Sequence, residues 1–402
     1  MTSEWHEVPL RELVGYISKG IAPSYAEEAS ETTIRVLNQK CNRNFRISYG
    51  DSRLHDTLKK KVPPERYVKP DDILINSTGA GTAGRIAQIE DVPSATTIDG
   101  HMILIRSNGK VTQKFLGYAL KAHQWEVLQL DEGSTGQTEL NRDRLLDEIM
   151  INYPVSFDEQ NAIVGTLESI DRKLIVNKEI NDNLQQQAQA IYHERYECIF
   201  SDALPSGWRI VTLGEVATIS NKTFNPLKEP ETTLEHYSIP AFDEARFPIF
   251  EPSTSIKSNK FIIDASCFMI SKLNPTTKRV WRPYCLTENA VCSTEFIVYK
   301  AKDEAITDYL YSVIDSSSFS GFMCSHVTGS TGSRQRTTPS DTLSYKLILP
   351  SEDELVEFQS LVSPMYAQMR INAIENDKLK RLRDSLLPKL MSGEIDVSDI
   401  QL

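Results

Sequence analysis

Two sets of polar residues in this sequence have the chemistry to contact nucleic acid. Each set follows strand-like segments and combines long side chains that reach base edges with small residues that let a backbone approach a phosphate. The candidates in the first half of the chain are Asn76, Thr78, Arg85, Gln137, Asn141 and Arg142. The candidates in the second half are Lys272, Asn274, Lys278, Arg279, Arg282, Ser333, Arg334, Gln335 and Arg336. Residues 333–336 have the highest density of such side chains, so we expect contacts there.

The glycines at 79, 81 and 84 match the Gly-x-Gly-x-x-Gly pattern of dinucleotide-binding loops. Such a site needs a helix directly after the loop, with its N-terminus facing the pyrophosphate. The residues that follow alternate in polarity and then contain Pro93, which does not predict a helix. Two interpretations remain for this loop, a phosphate contact and a plain β-turn. The Gly-Ser-Thr-Gly sequence at 133–136 and again at 329–332 is equally compatible with a structural turn.

The sequence shows no catalytic constellation. An adenine methyltransferase of its own would need an Asn/Asp/Ser-Pro-Pro-Tyr/Phe tetrapeptide, and the single Pro-Pro pair, at 63–64, lacks both flanking residues. A nuclease would need clustered carboxylates with a nearby lysine around Mg²⁺, and no Glu-x-Lys or Asp-x-Lys sequence follows Asp71 within thirty residues. The phosphate-binding Gly-x4-Gly-Lys-Ser/Thr motif is also missing, and the histidines and cysteines have no metal-ligand spacing. We therefore predict no catalytic residue, no metal site and no cofactor in this chain.

The net charge of −11 does not exclude DNA, because it is distributed unevenly. Residues 35–69 hold ten basic and three acidic side chains, and residues 257–282 hold six and one. Phosphates respond to the local potential within a Debye length of about 8–10 Å rather than to the total charge. The acidic total is therefore compatible with DNA binding.

The elements that must position these loops occur twice along the chain. The pattern Trp5-x2-Val8-x-Leu10 recurs from Trp208, 203 residues later. Strand-like segments 71–77 and 101–106 of the first half correspond to 266–272 and 294–300 of the second. Each half therefore predicts a domain of mixed helices and strands followed by a long helix.

The two long helical segments share one apolar pattern at an offset of 195 residues. The first series is Ile163, Leu167, Ile170, Leu174, Asn177, Asn181, Leu184, Ala188 and Ile191. The second series is Phe358, Val362, Met365, Met369, Asn372, Asn376, Leu379, Arg383 and Leu386. Apolar residues every 3.5 positions form the seam of a coiled coil, and asparagines in the seam disfavour wrong registers. We expect the two helices to pack together antiparallel; the alternative is that each packs only on its own domain.

These observations predict an α+β fold with two tandem, pseudo-repeated α/β domains and two long helices packed as an antiparallel coiled coil. The expected boundaries are 1–152 and 201–350 for the domains, and 153–200 and 351–402 for the helices, which would act as a spacer rod. No stretch is apolar and long enough for a membrane span, so we expect no membrane contact and a location in the cytoplasm.

Four segments in this order resemble the specificity subunits of type I restriction-modification systems. They are STGQTELNRDRLLDEIMINYP at 134–154, FDEQNAIVGTLESID at 157–171, LPSGWRIVTLGEVATIS at 204–220 and LKRLRDSLLPKLMSGEID at 379–396. The resemblance spans the whole chain in the order domain, helix, domain, helix.

The resemblance implies a non-catalytic subunit that recognises DNA sequence. Each domain would be a target recognition domain that reads one half of a bipartite, asymmetric site in double-stranded DNA, and the helices would dock two adenine methyltransferase subunits. Motor-nuclease subunits would join the complex, and chemistry with S-adenosylmethionine, ATP and Mg²⁺ would belong to these partners. The alternatives are a coiled-coil scaffold that binds only proteins and a free-standing DNA methyltransferase or nuclease.

Overall fold

The structure is a computed structural model that describes residues 4–79, 81–132, 139–197, 204–328 and 335–397. The chain divides into two compact units. One consists of Met1–Arg172 and Lys380–Leu402, and the other is Lys173–Leu379. Each unit therefore contains one sheet-bearing domain together with part of each long helix.

The first domain contains strands β1 to β14 and helices α1 to α3. Its strands are β1 (Trp5–Pro9), β2 (Val14–Lys19), β3 (Tyr25–Ala26), β4 (Thr33–Leu37), β5 (Asn42–Arg43), β6 (Arg46–Ile47), β7 (Arg53–Asp56), β8 (Ile73–Asn76), β9 (Ile86–Gln88), β10 (Thr96–Ile98), β11 (Met102–Ser107), β12 (Asp131–Glu132), β13 (Glu139–Leu140) and β14 (Met150–Pro154). Its helices are α1 (Gln113–Ala122), α2 (Gln124–Val127) and α3 (Arg142–Glu148), and the long helix α4 (Phe157–Tyr192) follows.

The second domain contains strands β15 to β27 and helices α5 to α9. Its strands are β15 (Arg209–Thr212), β16 (Ala217–Ser220), β17 (Thr223–Phe224), β18 (Thr233–Tyr237), β19 (Ile249–Pro252), β20 (Lys260–Ile262), β21 (Cys267–Ser271), β22 (Val280–Trp281), β23 (Ala290–Ser293), β24 (Phe296–Ala301), β25 (Val327–Thr328), β26 (Arg336–Thr337) and β27 (Lys346–Leu349). Its helices are α5 (Leu213–Val216), α6 (Ile239–Ala245), α7 (Thr307–Ile314), α8 (Ser317–Ser325) and α9 (Pro339–Thr342), and the long helix α10 (Glu352–Met391) follows.

A four-stranded antiparallel sheet lies at the centre of each domain, in the order β2-β11-β8-β9 in the first and β16-β24-β21-β22 in the second. A parallel pair follows the same plan in the neighbouring sheet, β4 with β10 and β18 with β23. Antiparallel pairing of the first with the last strand closes each domain, β1 with β14 and β15 with β27. The central sheets of the two domains therefore have the repeated topology that the sequence predicted.

Alternation of side chains along the central strands buries both faces of each sheet. In β8, Ile73 and Ile75 join the core that contains α1, whereas Leu74 faces the second core. In β21, Phe268 and Ile270 likewise join the core that contains α7, whereas Met269 faces the other one. Burial of apolar surface stabilises the folded state by about 25 cal/mol per Å². Because every position of β8 and β21 is buried, these strands form a rigid support for the loops that follow them.

The long helices pack against each other in both units. In the Lys173–Leu379 unit, Asn177 donates to Asn376 at 2.9 Å, and Asn372 donates to Asn181 at 2.9 Å. The order of these pairs makes the helices antiparallel, as predicted. Every position of the two predicted series is buried or half-buried.

The ends of the two series also pack on the domains, so the alternative interpretation is right in part. Ile163 and Leu167 of α4 lie in the first domain's core beside Leu387 and Leu390 of α10. Ala188 of α4 lies in the second domain's core, which also contains Phe358 and Val362 of α10. Each domain core therefore includes residues of both helices. Among the described residues, no helix is long and apolar enough to cross a membrane.

Candidate nucleic-acid interface

The loop between β21 and β22 in the second domain contains four of the predicted contact residues, Lys272, Asn274, Lys278 and Arg279. Hydrogen bonds to the strand β26 segment fix its backbone, because Asn274 N donates to Gln335 O and Thr337 N donates to Lys272 O, at 2.9 and 3.1 Å. Asn274 adopts a φ of 48°, a left-handed conformation that asparagine tolerates better than most residues. The predicted residues of this loop and of β26 therefore lie side by side at one end of the central sheet.

Four cations predicted to contact DNA are each paired with a carboxylate in the second domain. The pairs are Lys278 with Asp315 at 3.0 Å, Arg279 with Asp243 at 2.6 Å, Arg336 with Glu295 at 3.0 Å, and Arg282 with Asp308. Arg279 and Arg336 each contact both carboxylate oxygens, an arrangement that fixes the plane of the guanidinium. These pairs hold the side chains in defined directions and neutralise the local charge.

Lys278 is anchored to the interior by the best-buried of these carboxylates. The side chain of Asp315 is 5% exposed, and the Lys278 ammonium also donates to the Asp315 carbonyl oxygen at 2.7 Å. Burial raises the pKa of the Asp315 carboxyl, although the Lys278 charge opposes this shift. Gln185 of α4 donates to the same carboxylate, so this loop is tied to the long helix.

The corresponding loop of the first domain connects β8 to β9 and contains Thr78 and Arg85. It is a hairpin loop followed by a strand rather than by a helix, which excludes the dinucleotide-binding interpretation of its glycines. Gly84 has a φ of +82°, and a Cβ atom there would lie 3.0 Å from the Val127 carbonyl oxygen. The glycine is therefore required by backbone conformation and by close packing on the α2 segment.

The predicted contact residue Asn76 is buried in the structure. Its side chain is fully buried at the end of β8, where its amide donates to Gln39 O at 3.1 Å and accepts from Asn42 Nδ2 at 3.2 Å. Asn141 is the N-cap of α3, and its side-chain oxygen accepts from the backbone N–H groups of Asp143 and Arg144. Because Asn76 is buried and the Asn141 side-chain oxygen is used for capping, neither residue is included in the DNA surface proposed below.

Three other predicted residues of the first domain, Thr78, Arg85 and Arg142, have polar groups at the surface. Thr78 Oγ1 lies 2.7 Å from His101 Nδ1, and Arg85 donates to the Gly81 carbonyl oxygen at 3.1 Å. Arg142 is exposed in the first turn of α3. Gln137, Ser333 and Arg334 lie outside the described residues, as do both Gly-Ser-Thr-Gly sequences.

Sequence reasoning missed the carboxylates and the histidine of this surface. Glu295 lies 41 residues from Arg336, and Asp243 lies 36 residues from Arg279, so only the folded chain brings them together. The sequence could have indicated only Glu295 and His101, because each of them directly precedes a central strand. Within the described ranges, no three His, Cys, Asp or Glu side chains are grouped so that they could hold a metal ion.

Comparison with known proteins identifies the class of domain. Residues 2–186 match the family of type I restriction modification DNA specificity domains. The chain therefore carries a domain of this family, and along its length it resembles the specificity subunits of type I restriction-modification systems.

Two curated relatives and one solved structure illustrate the resemblance. The type I restriction enzyme MjaIX specificity subunit of Methanocaldococcus jannaschii is 24% identical over 88% of this chain and 84% of its own length. The HindI specificity subunit of Haemophilus influenzae is 31% identical over 23% of this chain and 20% of its own. The crystal structure of the type I S subunit from M. genitalium covers 97% of this chain and 96% of its own, with 16% identity and a TM-score of 0.59. The last similarity establishes the fold.

Proposed function

We propose that this chain is the non-catalytic, DNA-recognition subunit of a type I restriction-modification complex. The observation that carries the proposal is the duplicated frame: two domains whose central sheets have the same strand order place loops with different polar side chains at the same end of that sheet. Recognition of a bipartite, asymmetric site requires two domains of the same fold that contact different base sequences. The family match of residues 2–186 supports the same conclusion.

The proposed DNA surface consists of the loops that follow the central strands. In the first domain it includes Thr78, Arg85, Gln137 and Arg142. In the second it includes the following residues: Lys272, Asn274, Lys278, Arg279, Arg282, Ser333, Arg334, Gln335 and Arg336. The ion pairs of the described cations favour defined contacts over nonspecific attraction, because a fixed guanidinium presents its donors in one plane.

The proposed partners are two adenine methyltransferase subunits, docked on the helices α4 and α10, and motor-nuclease subunits. In this proposal, those partners carry out the chemistry that uses S-adenosylmethionine, ATP and Mg²⁺. Since the target is cellular DNA, the proposed location is the cytoplasm. The helices would hold the two half-sites at a fixed separation, which is the role expected of a spacer rod.

The test is the pattern of adenine methylation in a genome. Cells that express the partner methyltransferase with this chain should methylate one bipartite motif with a fixed spacer, and cells that lack this chain should not. Single-molecule sequencing of genomic DNA reads both outcomes directly. Methylation at the same sites without this chain would refute the proposal, as would a motif that is unchanged when the chain is replaced by a different specificity subunit.

A further inference from the structure

The two domains carry different side chains at four equivalent positions on one end of the central sheet. We infer that these positions, 19, 78, 101 and 139 in the first domain and 221, 273, 295 and 336 in the second, determine which half-site each domain reads. The inference rests on the proposed function and deepens it. It adds to the predicted residues the positions of Lys19, His101, Glu139, Asn221, Leu273 and Glu295, and it treats Arg336 as one member of a pair.

Backbone hydrogen bonds establish the equivalence of these positions. Ser77 N donates to His101 O, and Lys272 N donates to Glu295 O, at 2.8 and 2.9 Å. On the next strand, Leu140 N donates to Ser77 O and Thr337 N donates to Lys272 O.

Isolated bridges complete the match. Thr78 is bridged to Glu139 in the first domain, and Leu273 is bridged to Arg336 in the second. The register of β2 and β16 on their neighbours places Lys19 opposite Ile103, and it makes Asn221 the residue that corresponds to Lys19. The backbone frame is therefore the same in both domains.

The side chains on this shared frame differ in charge and in hydrogen-bonding type. In the first domain, Glu139 pairs with Lys19, and Thr78 contacts His101. In the second domain, the position of Glu139 holds Arg336, and the position of His101 holds Glu295. A carboxylate in one domain thus corresponds to a guanidinium in the other.

The opposite end of the same strands behaves differently. There the equivalent residues Arg106 and Lys300, one position beyond the paired Ile105 and Tyr299, are both cations. Both are paired with an aspartate: Arg106 with Asp72 at 2.7 Å, and Lys300 with Asp264. Both domains therefore have a cation in an ion pair at that position, although the two aspartates occupy non-equivalent positions. The exchange of a carboxylate for a guanidinium lies at the end where the predicted loops are.

The chemistry of the variable positions suits base edges. A guanidinium donates to guanine O6 and N7, whereas a carboxylate accepts from cytosine N4. The Arg336–Glu295 pair uses two parallel hydrogen bonds of 3.0 Å, and the two side chains are 43% and 29% exposed, so the pair is fixed yet accessible. Pairing also offsets the repulsion between a carboxylate and the DNA phosphates, which permits acceptors on a surface that approaches a polyanion.

The experiment replaces the Glu295–Arg336 pair of the second domain by the residues at the equivalent positions of the first domain, His101 and Glu139. The chain with Glu295→His and Arg336→Glu is expressed with its methyltransferase partner, and the methylated motif is read by single-molecule sequencing. We expect the preference for at least one base pair of one half-site to fall by about 5- to 150-fold, the range for a lost bidentate contact. The other half-site should be unchanged. The matched control is Lys300→Ala, which removes an exposed ion pair at the other end of the sheet and should leave the motif intact.

Each further outcome has a defined meaning. An unchanged motif, or an equal fall in methylation at every site with the motif preserved, would overturn the inference while the proposed function stands. If the wild-type chain directs no motif at all, the proposed function fails instead. If the double variant does not accumulate, Arg336→Lys decides, because it keeps the positive charge and lacks the planar fork. It should relax the same half-site, and an unchanged motif in this variant would also overturn the inference.

Discussion

Replacing Asp171 by asparagine should destabilise the Met1–Arg172/Lys380–Leu402 unit strongly. The Asp171 carboxylate accepts hydrogen bonds from Tyr118, Lys121 and Arg383, each at 2.9 Å, and so joins α1 of the domain to both long helices. The Lys121 and Arg383 side chains are only 11% and 14% exposed. Loss of the carboxylate leaves the buried Lys121 without a counter-charge and leaves the buried Arg383 with only the exposed Asp384, and breaking a buried ion pair costs about 3–5 kcal/mol. Because Asp171 is 23% exposed, we expect the lower end, about 3 kcal/mol.

Thermal unfolding of the purified chain measures this loss. At about 2–4 °C per kcal/mol for a unit of this size, the transition of the variant should fall by about 6–12 °C. Asp384→Asn is the matched control, since Asp384 pairs with the same Arg383 at 2.7 Å but is 53% exposed. Solvent screens that pair, so its loss should cost less than about 1 kcal/mol. Equal losses in the two variants would refute the argument that burial makes Asp171 important.

The same carboxylate predicts a dependence on pH. Burial by itself raises the pKa of Asp171, but the charges of Lys121 and Arg383 outweigh it and hold the pKa below the ordinary value of 3.8. A depressed pKa contributes stability that is fully present above the unfolded-state pKa and is lost as the pH falls through the folded-state pKa. The difference in the free energy of unfolding between wild type and Asp171→Asn should therefore be constant above roughly pH 5 and shrink below roughly pH 4. A difference that does not change with pH would contradict this assignment.

Three further predictions concern the helix seam, the glycine loop and catalysis. Asn372→Leu should lower the free energy of unfolding by about 1–3 kcal/mol, because the Asn181 side-chain oxygen loses its buried donor. Adding Asn181→Leu should restore much of this loss, and chemical denaturation measures both variants. A double variant that is less stable than the single variant would contradict this prediction. Gly84→Ala should lower the melting temperature more than Gly81→Ala, because both have positive φ but only position 84 would bring a Cβ to 3.0 Å from backbone, and equal effects would refute the packing argument. The purified chain should transfer no label from S-adenosylmethionine to mixed-sequence DNA, and robust transfer would contradict the assignment of catalysis to partner subunits.

Local patterns in the sequence predicted the elements whose contacts repeat at short intervals. The 3.5-residue spacing that includes Asn177 and Asn372 identified the helix pair, because a seam is a property of consecutive turns. Alternation in β8 and β21 likewise predicted the central strands, since the side-chain period of a strand is two.

Contacts between distant segments explain what the sequence could not predict. Asn76 looked like a loop residue that follows a strand, and nothing in its neighbourhood indicated that Gln39 and Asn42 would cover it. Likewise, Glu295 had no visible link to Arg336, because only the fold brings the two strands together. Polar side chains can therefore be recognised from sequence as able to bind DNA, whereas their availability depends on tertiary contacts.

Pairing of the first strand with the last gives each domain the properties of an exchangeable cassette. Trp5 lies opposite Pro154, and Arg209 lies opposite Leu349, so the chain enters and leaves each domain at neighbouring backbone positions. A segment with adjoining ends can be replaced by another of the same frame without redirecting the helix that follows it. Recombination at the β1–β14 or β15–β27 junctions would therefore supply a new half-site preference in one genetic step, provided that the new domain keeps the core positions that pack on α4 and α10.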